Sequence, residues 1–331
     1  MRRSRSLLRI ILLPPVLWVC SGTVILFWLA PGPSYAWGPA THAYIAHELG
    51  SEQGRADLEE VYGAVLPDAF NLMFGDPLQE SLWTQTHYEF MQLVEKAESN
   101  SDKALAYGFA SHNEAWGADR TAHISSTSHP EAGYVIRKRD ELAAILEPQV
   151  RFFLLLSGVF NAGAVVKEVL PTVADSAIET AVDLLVCRNE DPQIGERLVL
   201  AARARGWSAP ILLSKAYAHD LAATAGTTEA VASSLIIAAE KEFREQIELY
   251  GAALAQEEPI NVLAEQGAEL AKLLLAAEHG TIVDIPADLM TQILDEAIEV
   301  VKDDYAAELA ATVAQVRLEL EAHGVTTAIA E

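Results

Sequence analysis

Thiols are scarce in this chain: its 331 residues include two cysteines, Cys20 and Cys187, too few for a disulfide framework. Glycine and proline, at 19 and 14 residues, fall well short of a collagen or a low-complexity linker. Cations are outnumbered, with 23 Lys and Arg against 47 Asp and Glu and a formal charge of −24. That balance argues against a sequence-independent grip on nucleic-acid backbone. No stretch alternates apolar and polar residues for long enough to mark a half-buried strand, and no repeat is visible. A hydrophobic share of 51% against 21% charged excludes disorder. What is present is an acidic, Ala- and Leu-rich chain of helical character, long enough for about two domains.

The first 36 residues read separately. Arg2, Arg3, Arg5 and Arg9 form a basic start, residues 10–30 carry no charge, and Ser34 and Ala36 place small side chains at an A-x-A-like site. This pattern predicts an export signal cut after Ala36, leaving the protein periplasmic or extracellular. The alternative is an uncleaved membrane anchor, because 21 uncharged residues are about enough to span a bilayer. Pro14 and Pro15 shorten the apolar stretch and favour cleavage. Cleavage would leave Cys187 as the sole cysteine.

Helical periodicity then covers residues 41–49, 78–97, 103–116, 140–155, 176–186, 193–205, 210–223, 228–256, 260–279 and 287–323. Pro210 suits the first position of its helix. Residues 152–166 carry no charge; a buried helix pair kinked near Gly158 and Gly163 is favoured over membrane contact. The composition divides the chain into residues 1–36, a working domain at 37–225, and a C-terminal extension at 226–331. That extension is read as a solvated helical hairpin.

Six of the nine histidines lie in residues 37–129: His42, His47, His87, His112, His123 and His129. Imidazole with carboxylate and no thiol suits zinc. An α-amino group freed on Trp37 could chelate a metal together with its own carbonyl, and His42 follows closely. Asp68 follows Pro67 between apolar residues, where a carboxylate needs a partner or a metal; a helix N-cap is the alternative. His87 sits on an aromatic face. Asp119 and His123, at i and i+4, share a helix face. His112 precedes Asp119 by seven residues, about 10.5 Å along an unbroken helix. Either Gly117 breaks that helix, or the residues serve neighbouring ions.

In this order, Trp37, His42, Pro67-Asp68, His87, and the Gly108-to-His112 helix followed by Asp119 and His123 resemble the zinc-dependent phospholipase C family. The related S1/P1 nucleases share its fold and ligand order. The likeness covers residues 37–183 and implies an all-α, multi-helix bundle holding two or three zinc ions, with an added C-terminal helical segment. It implies Trp37 and His42 on one zinc, Asp68, His87 and His112 on another, and Asp119 bridging the two. His123 and Glu179 would hold the third. Two departures stand out. Trp116 occupies the position of the family's bridging Asp, and Asp175 replaces a histidine four residues before Glu179, with Asp183 following; His219 could supply the missing imidazole.

The reaction implied is metal-assisted phosphodiester hydrolysis, with Asp68 as the catalytic carboxylate that orients or deprotonates water. A phospholipid substrate is expected, with transient contact at a membrane surface and no sequence-specific nucleic acid. Trp83, Tyr88, Phe90, Trp116 and residues 152–166 could line an apolar rim. The alternatives are single-strand nuclease activity and a non-catalytic exported zinc-binding protein.

Overall fold

The computed structural model describes residues 37–50, 55–71, 73, 76–279 and 283–326. The expected export segment and its cleavage site lie outside the described residues. Within them the chain is all-helical, with no strand. Helices α1 (Pro39–Leu49) and α2 (Arg55–Val65) lead into a 3₁₀ turn (Leu66–Phe70). Four more helices follow: α3 (Gln79–Tyr88), α4 (Met91–Lys96), α5 (Asn100–His112) and α6 (Ala118–His123). Then come the long pair α7 (Tyr134–Leu156) and α8 (Ala162–Leu185), the latter ending in a π turn (Val186–Glu190). Helices α9 (Ile194–Arg205), α10 (Ser208–Ala225), α11 (Glu229–Leu254), α12 (Pro259–His279), α13 (Ala287–Val301) and α14 (Tyr305–Ala322) complete the fold.

Local chemistry explains several boundaries. Ser99 caps α5 by accepting from the Asp102 amide while Asp102 accepts from the Ser99 amide, a reciprocal pair that satisfies two otherwise unpaired donors. Gly226, at φ 60°, ends α10 in the left-handed region, which a residue without Cβ adopts at no steric cost. Helix α1 has no local side-chain cap. Instead Asp183, on α8, accepts from the amides of Ala40 and Thr41 at 2.9 and 2.8 Å and from the Thr41 hydroxyl at 2.6 Å. A carboxylate from 142 residues away thus performs the work of an N-cap.

The packing that matters most for the site is α2 against α5. Their backbones touch at two glycines: a Cβ on Gly63 would lie 2.1 Å from the Leu105 carbonyl oxygen, and one on Gly108 would lie 1.9 Å from that of Glu60. Any larger residue forces the helices apart. Tyr62, Phe70 and Phe109 are fully buried around this crossing.

Three sequence expectations change. Residues 152–166 are only half buried: they span the end of α7, the turn and the start of α8, with Leu154, Val165 and Val166 buried but Phe152 63%, Leu156 73% and Phe160 99% exposed. Residues 226–326 are four helices, not a solvated hairpin, and Phe243, Ile247 and Leu294 are completely buried. Tyr62 on α2 donates to Glu240 on α11 at 2.7 Å, and Thr312 on α14 donates to Thr121 on α6 at 2.9 Å. Helices from both sides of residue 226 therefore share one interior. Finally, Pro210 is the third residue of α10, not its first. Among the described residues, no single helix is long and apolar enough to cross a membrane.

Candidate metal centre

Helix α5 ends at His112, where Asn113 stops it. The Asn113 side-chain oxygen accepts from the amides of Ala115 and Trp116, both at 2.9 Å, and the chain restarts as α6 from Gly117. The break folds Asp119 back onto His112, so Asp119 Oδ2 lies 2.8 Å from His112 Nε2. Of the two arrangements left open by the spacing, the helix break is the one that forms.

Around this contact the fold assembles three further elements. His42 comes from α1, Asp68 from the 3₁₀ turn and His87 from α3. His42 Nε2 is 3.1 Å from Asp119 Oδ1, and His87 Nε2 is 3.5 Å from both Asp119 Oδ2 and Asp68 Oδ1. His112 Nε2 is 3.7 Å from Asp68 Oδ1. Two sets of donor atoms lie close enough to share an ion: His42, His112 and Asp119, and Asp68, His87 and His112. The two oxygens of Asp119 face different imidazoles, as a bridging carboxylate does. All of these residues are buried except Asp68, which is partly exposed and forms the open side.

Hydrogen bonding fixes which ring nitrogens are free. His112 Nδ1 lies 2.7 Å from the Ala64 carbonyl oxygen, and His87 Nδ1 lies 3.0 Å from that of Trp83. A carbonyl only accepts, so Nδ1 carries the hydrogen, and in the neutral ring Nε2 then holds the lone pair; the Thr86 hydroxyl lies beside His87 Nδ1 as well, at 2.9 Å. Those two Nε2 atoms are 3.3 Å apart. His42 Nε2 and Asp119 Oδ1 are both buried, lie 3.1 Å apart and have no other polar partner. Facing lone pairs and orphaned buried acceptors need a cation or a proton between them. Imidazoles tied at Nδ1 to backbone carbonyls are the usual supporting arrangement for metal ligands.

Electrostatics agree. Burial works against the charge on Asp119, yet His112 and His42 beside it hold its carboxyl well below the usual range. Burial would lower His112, but Asp119 and Asp68 raise it to about 9. Burial, followed by His112, lowers His42. Asp68 is lowered against its burial by His112 and His87. Without a metal, one proton on His112 serves as the positive charge.

The remaining predicted residues divide. His123 Nδ1 pairs with Glu114 Oε1 at 2.5 Å, and Glu114, Asp119 and His123 form a third set of close donors. Sequence reasoning missed Glu114; its signal was its position two residues beyond His112, in the turn that breaks the helix. Glu179 belongs to none of the three sets. It is buried with Oε1 unpartnered, and burial together with Asp175, Asp68, Asp183 and Asp119 pushes its carboxyl well above the usual range. Asp183 caps α1, accepts from the Tyr250 hydroxyl at 2.8 Å, and is pushed by burial up to about 6 despite those donors. His219 is on the surface, 3.9 Å from Glu229, and supplies nothing to the cluster. The Trp37 indole donates to Thr121 at 3.1 Å and stacks on Tyr134, which anchors the chain five residues before His42. Of the expected aromatic rim, Phe90 and Trp116 are buried against each other. Tyr88 is 49% exposed, and Trp83 stacks on His87. Asp68 lies within the 3₁₀ turn and not at its cap.

No family profile, curated protein or solved structure matches this chain.

Proposed function

We propose that this chain is an exported, zinc-dependent phosphodiesterase that hydrolyses phospholipid head groups. The observation that carries this reading is the 3.3 Å approach of the His87 and His112 Nε2 atoms, with both Nδ1 atoms committed to backbone carbonyls. The same two Nε2 atoms face Asp119 and Asp68, so nitrogen and carboxylate donors converge on one place. The donor set is nitrogen and oxygen without thiolate, which fits zinc.

His42, His87 and His112 would hold two ions, with Asp119 offering one oxygen to each side. Glu114 and His123 provide a place for a third. Zinc bound there supplies acidity to a water and positive charge for phosphoryl oxygens. Asp68, at the open side, is the carboxylate placed to orient that water and take its proton. Asn71 donates to Asp68 Oδ1 at 2.7 Å, fixing the side chain and leaving Oδ2 for the proton. Exposed Tyr88 and half-buried Trp83 pack edge to face, and Trp83 stacks on His87 beside the centre.

Elemental analysis of protein exported by a bacterial host tests the metal. Two or three zinc ions per chain are expected, with head-group release from phosphatidylcholine that stops on chelation and returns with zinc. One zinc or none, with no turnover, overturns the reading. Cleavage of single-stranded DNA in place of lipid would keep the metal and replace the substrate.

A further inference from the structure

The α7–α8 hairpin carries a surface that the metal centre does not use. Between Arg151 and Lys167 the sequence has no charge, and the turn between the helices displays Phe152, Leu155, Leu156 and Phe160 at 63%, 50%, 73% and 99% exposure. Ile145, also half exposed, continues the stripe down α7, one helical repeat from Phe152. Gly158, at φ 84°, makes the tight turn with open space around it. Leu154 and Val159 point inward and are buried. The exposure is therefore confined to the outer side of an ordered turn whose inner side is packed.

We propose that this hairpin tip inserts into the interfacial region of a phospholipid bilayer. Three observations select that occupant. First, residues 152–166 carry no acid in a chain of −24, and the charges nearest the tip are Arg151 and Lys167, with their acids one step further back: Glu147, 3.9 Å from Arg151, and Glu168. The Arg151 guanidinium lies across the hairpin near Gly163, 3.8 Å from where a Cβ there would sit. An apolar apex with cations behind it matches acyl chains beneath phosphate groups. Second, the area is wrong for a second copy. The four side chains expose roughly 500 Å², so two tips together would bury about 1,000 Å², below the roughly 1,200 Å² of a stable interface. Third, the apolar surface continues beneath the tip. A narrow cleft of about 50 Å³ between the hairpin and helices α12 and α13 is lined by Phe153, Leu154, Val165, Val166, Met290 and Ile293, among other residues, none of them polar.

No tip residue belongs to any of the three donor sets, so the tip is proposed as an attachment point and not as the rim of the metal centre. The proposal stands on its own residues: vesicle binding is read without turnover, so loss of the hydrolase reading would leave it intact.

The test uses full-length protein from an exporting host and phosphatidylcholine vesicles. The parent, the double variant Phe152→Asp/Phe160→Asp and the control Trp207→Asp share the same N-terminal segment. Trp207 is 72% exposed on α10's approach and belongs to no site described above. The expected result is a vesicle-bound fraction at least tenfold lower for the double variant, with unchanged zinc content and Tm, and no change for the control. A separate Phe160→Trp variant should place an indole that brominated lipid quenches on vesicle addition. Equal partitioning of parent and double variant, or absence of quenching, would overturn the proposal. So would a double variant whose only change is loss of a dimer in sedimentation, which would give the surface to a second copy.

Discussion

His112 is the residue on which the centre's chemistry turns, because its Nε2 faces Asp119, Asp68 and His87 at once. Without metal, its imidazole is held up to about 9 against an ordinary 6.5. The folded chain then binds a proton that the unfolded chain releases between those values, so stability falls as pH rises across that window. For a fully buried group the effect is of the order of 3 kcal/mol. A bound cation requires the same Nε2 to be bare, so at fixed free zinc the stability should instead rise with pH. Urea midpoints at pH 6.5, 7.5 and 8.5, with chelator and with buffered zinc, should therefore slope in opposite directions. Slopes of the same sign would show that no cation replaces this proton. Asp68 carries the second residue-scale prediction. Asp68→Asn keeps an oxygen for Asn71 but loses the proton acceptor, so head-group release should fall about 10²- to 10⁴-fold with Tm nearly unchanged. Near-parental turnover would remove Asp68 from its role.

Individual elements decide whether these residues meet. The α2–α5 crossing brings the Ala64 carbonyl to His112 Nδ1, and it depends on Gly108, one turn before His112. Gly108→Ala would set a Cβ against the Glu60 carbonyl oxygen and force α5 outward. A loss of about 1–3 kcal/mol is expected, typical of overpacking, together with weaker zinc binding in a competition titration. Destabilisation with unchanged zinc affinity would mean that the crossing supports the fold and not the ligand geometry. The same elements show how far the sequence could be read. Periodicity found most of the long helices, because a buried apolar face recurs at helical spacing whatever the partner, but it caught only the second half of α8 and ran α13 and α14 together as 287–323. It missed α2, whose Arg55–Val65 face is mixed and includes the buried acids Asp57, Glu59 and Glu60. Glu59 is matched by Arg205, 146 residues away, at 2.7 Å, a pairing that no local pattern reveals. His42, Asp68, His87, His112, Asp119 and His123 were legible as chemically suitable residues. Glu114 was not, because its proximity to His123 depends on the chain reversal at Asn113. Asp183 read as part of a ligand run, whereas in the fold it caps a helix from the far end of the domain. The buried reading of residues 152–166 failed for a related reason: absence of charge records composition, not whether anything packs on the outer face.

At the scale of the whole molecule, the division near residue 226 has a measurable consequence. Composition separates the histidine-bearing part from the Ala- and Glu-rich part, but packing joins them. Tyr250 on α11 donates to Asp183, the residue that caps α1 ahead of His42. Thr312 on α14 donates to Thr121, which accepts from Trp37 and sits between Asp119 and His123. Glu308 accepts from the Thr127 amide and the Ser128 hydroxyl just after α6. Each contact reaches an element carrying candidate ligands, so the C-terminal helices are part of what holds the centre together. A chain ended after residue 225 would expose the apolar surface now covered by Phe243, Ile247 and Tyr250 and leave buried Tyr62 without its Glu240 acceptor. Removing partners from buried polar groups costs about 1–3 kcal/mol each, and losing the apolar cover adds to it, against a net stability of about 5–15 kcal/mol for a typical domain. The shortened chain should therefore show no cooperative unfolding transition, while the full chain should unfold in one step that zinc shifts upward. A truncated chain that melts cooperatively and keeps its zinc would instead make residues 37–225 a self-sufficient domain. The contacts of Tyr250 and Thr312 would then be additions to a site already complete.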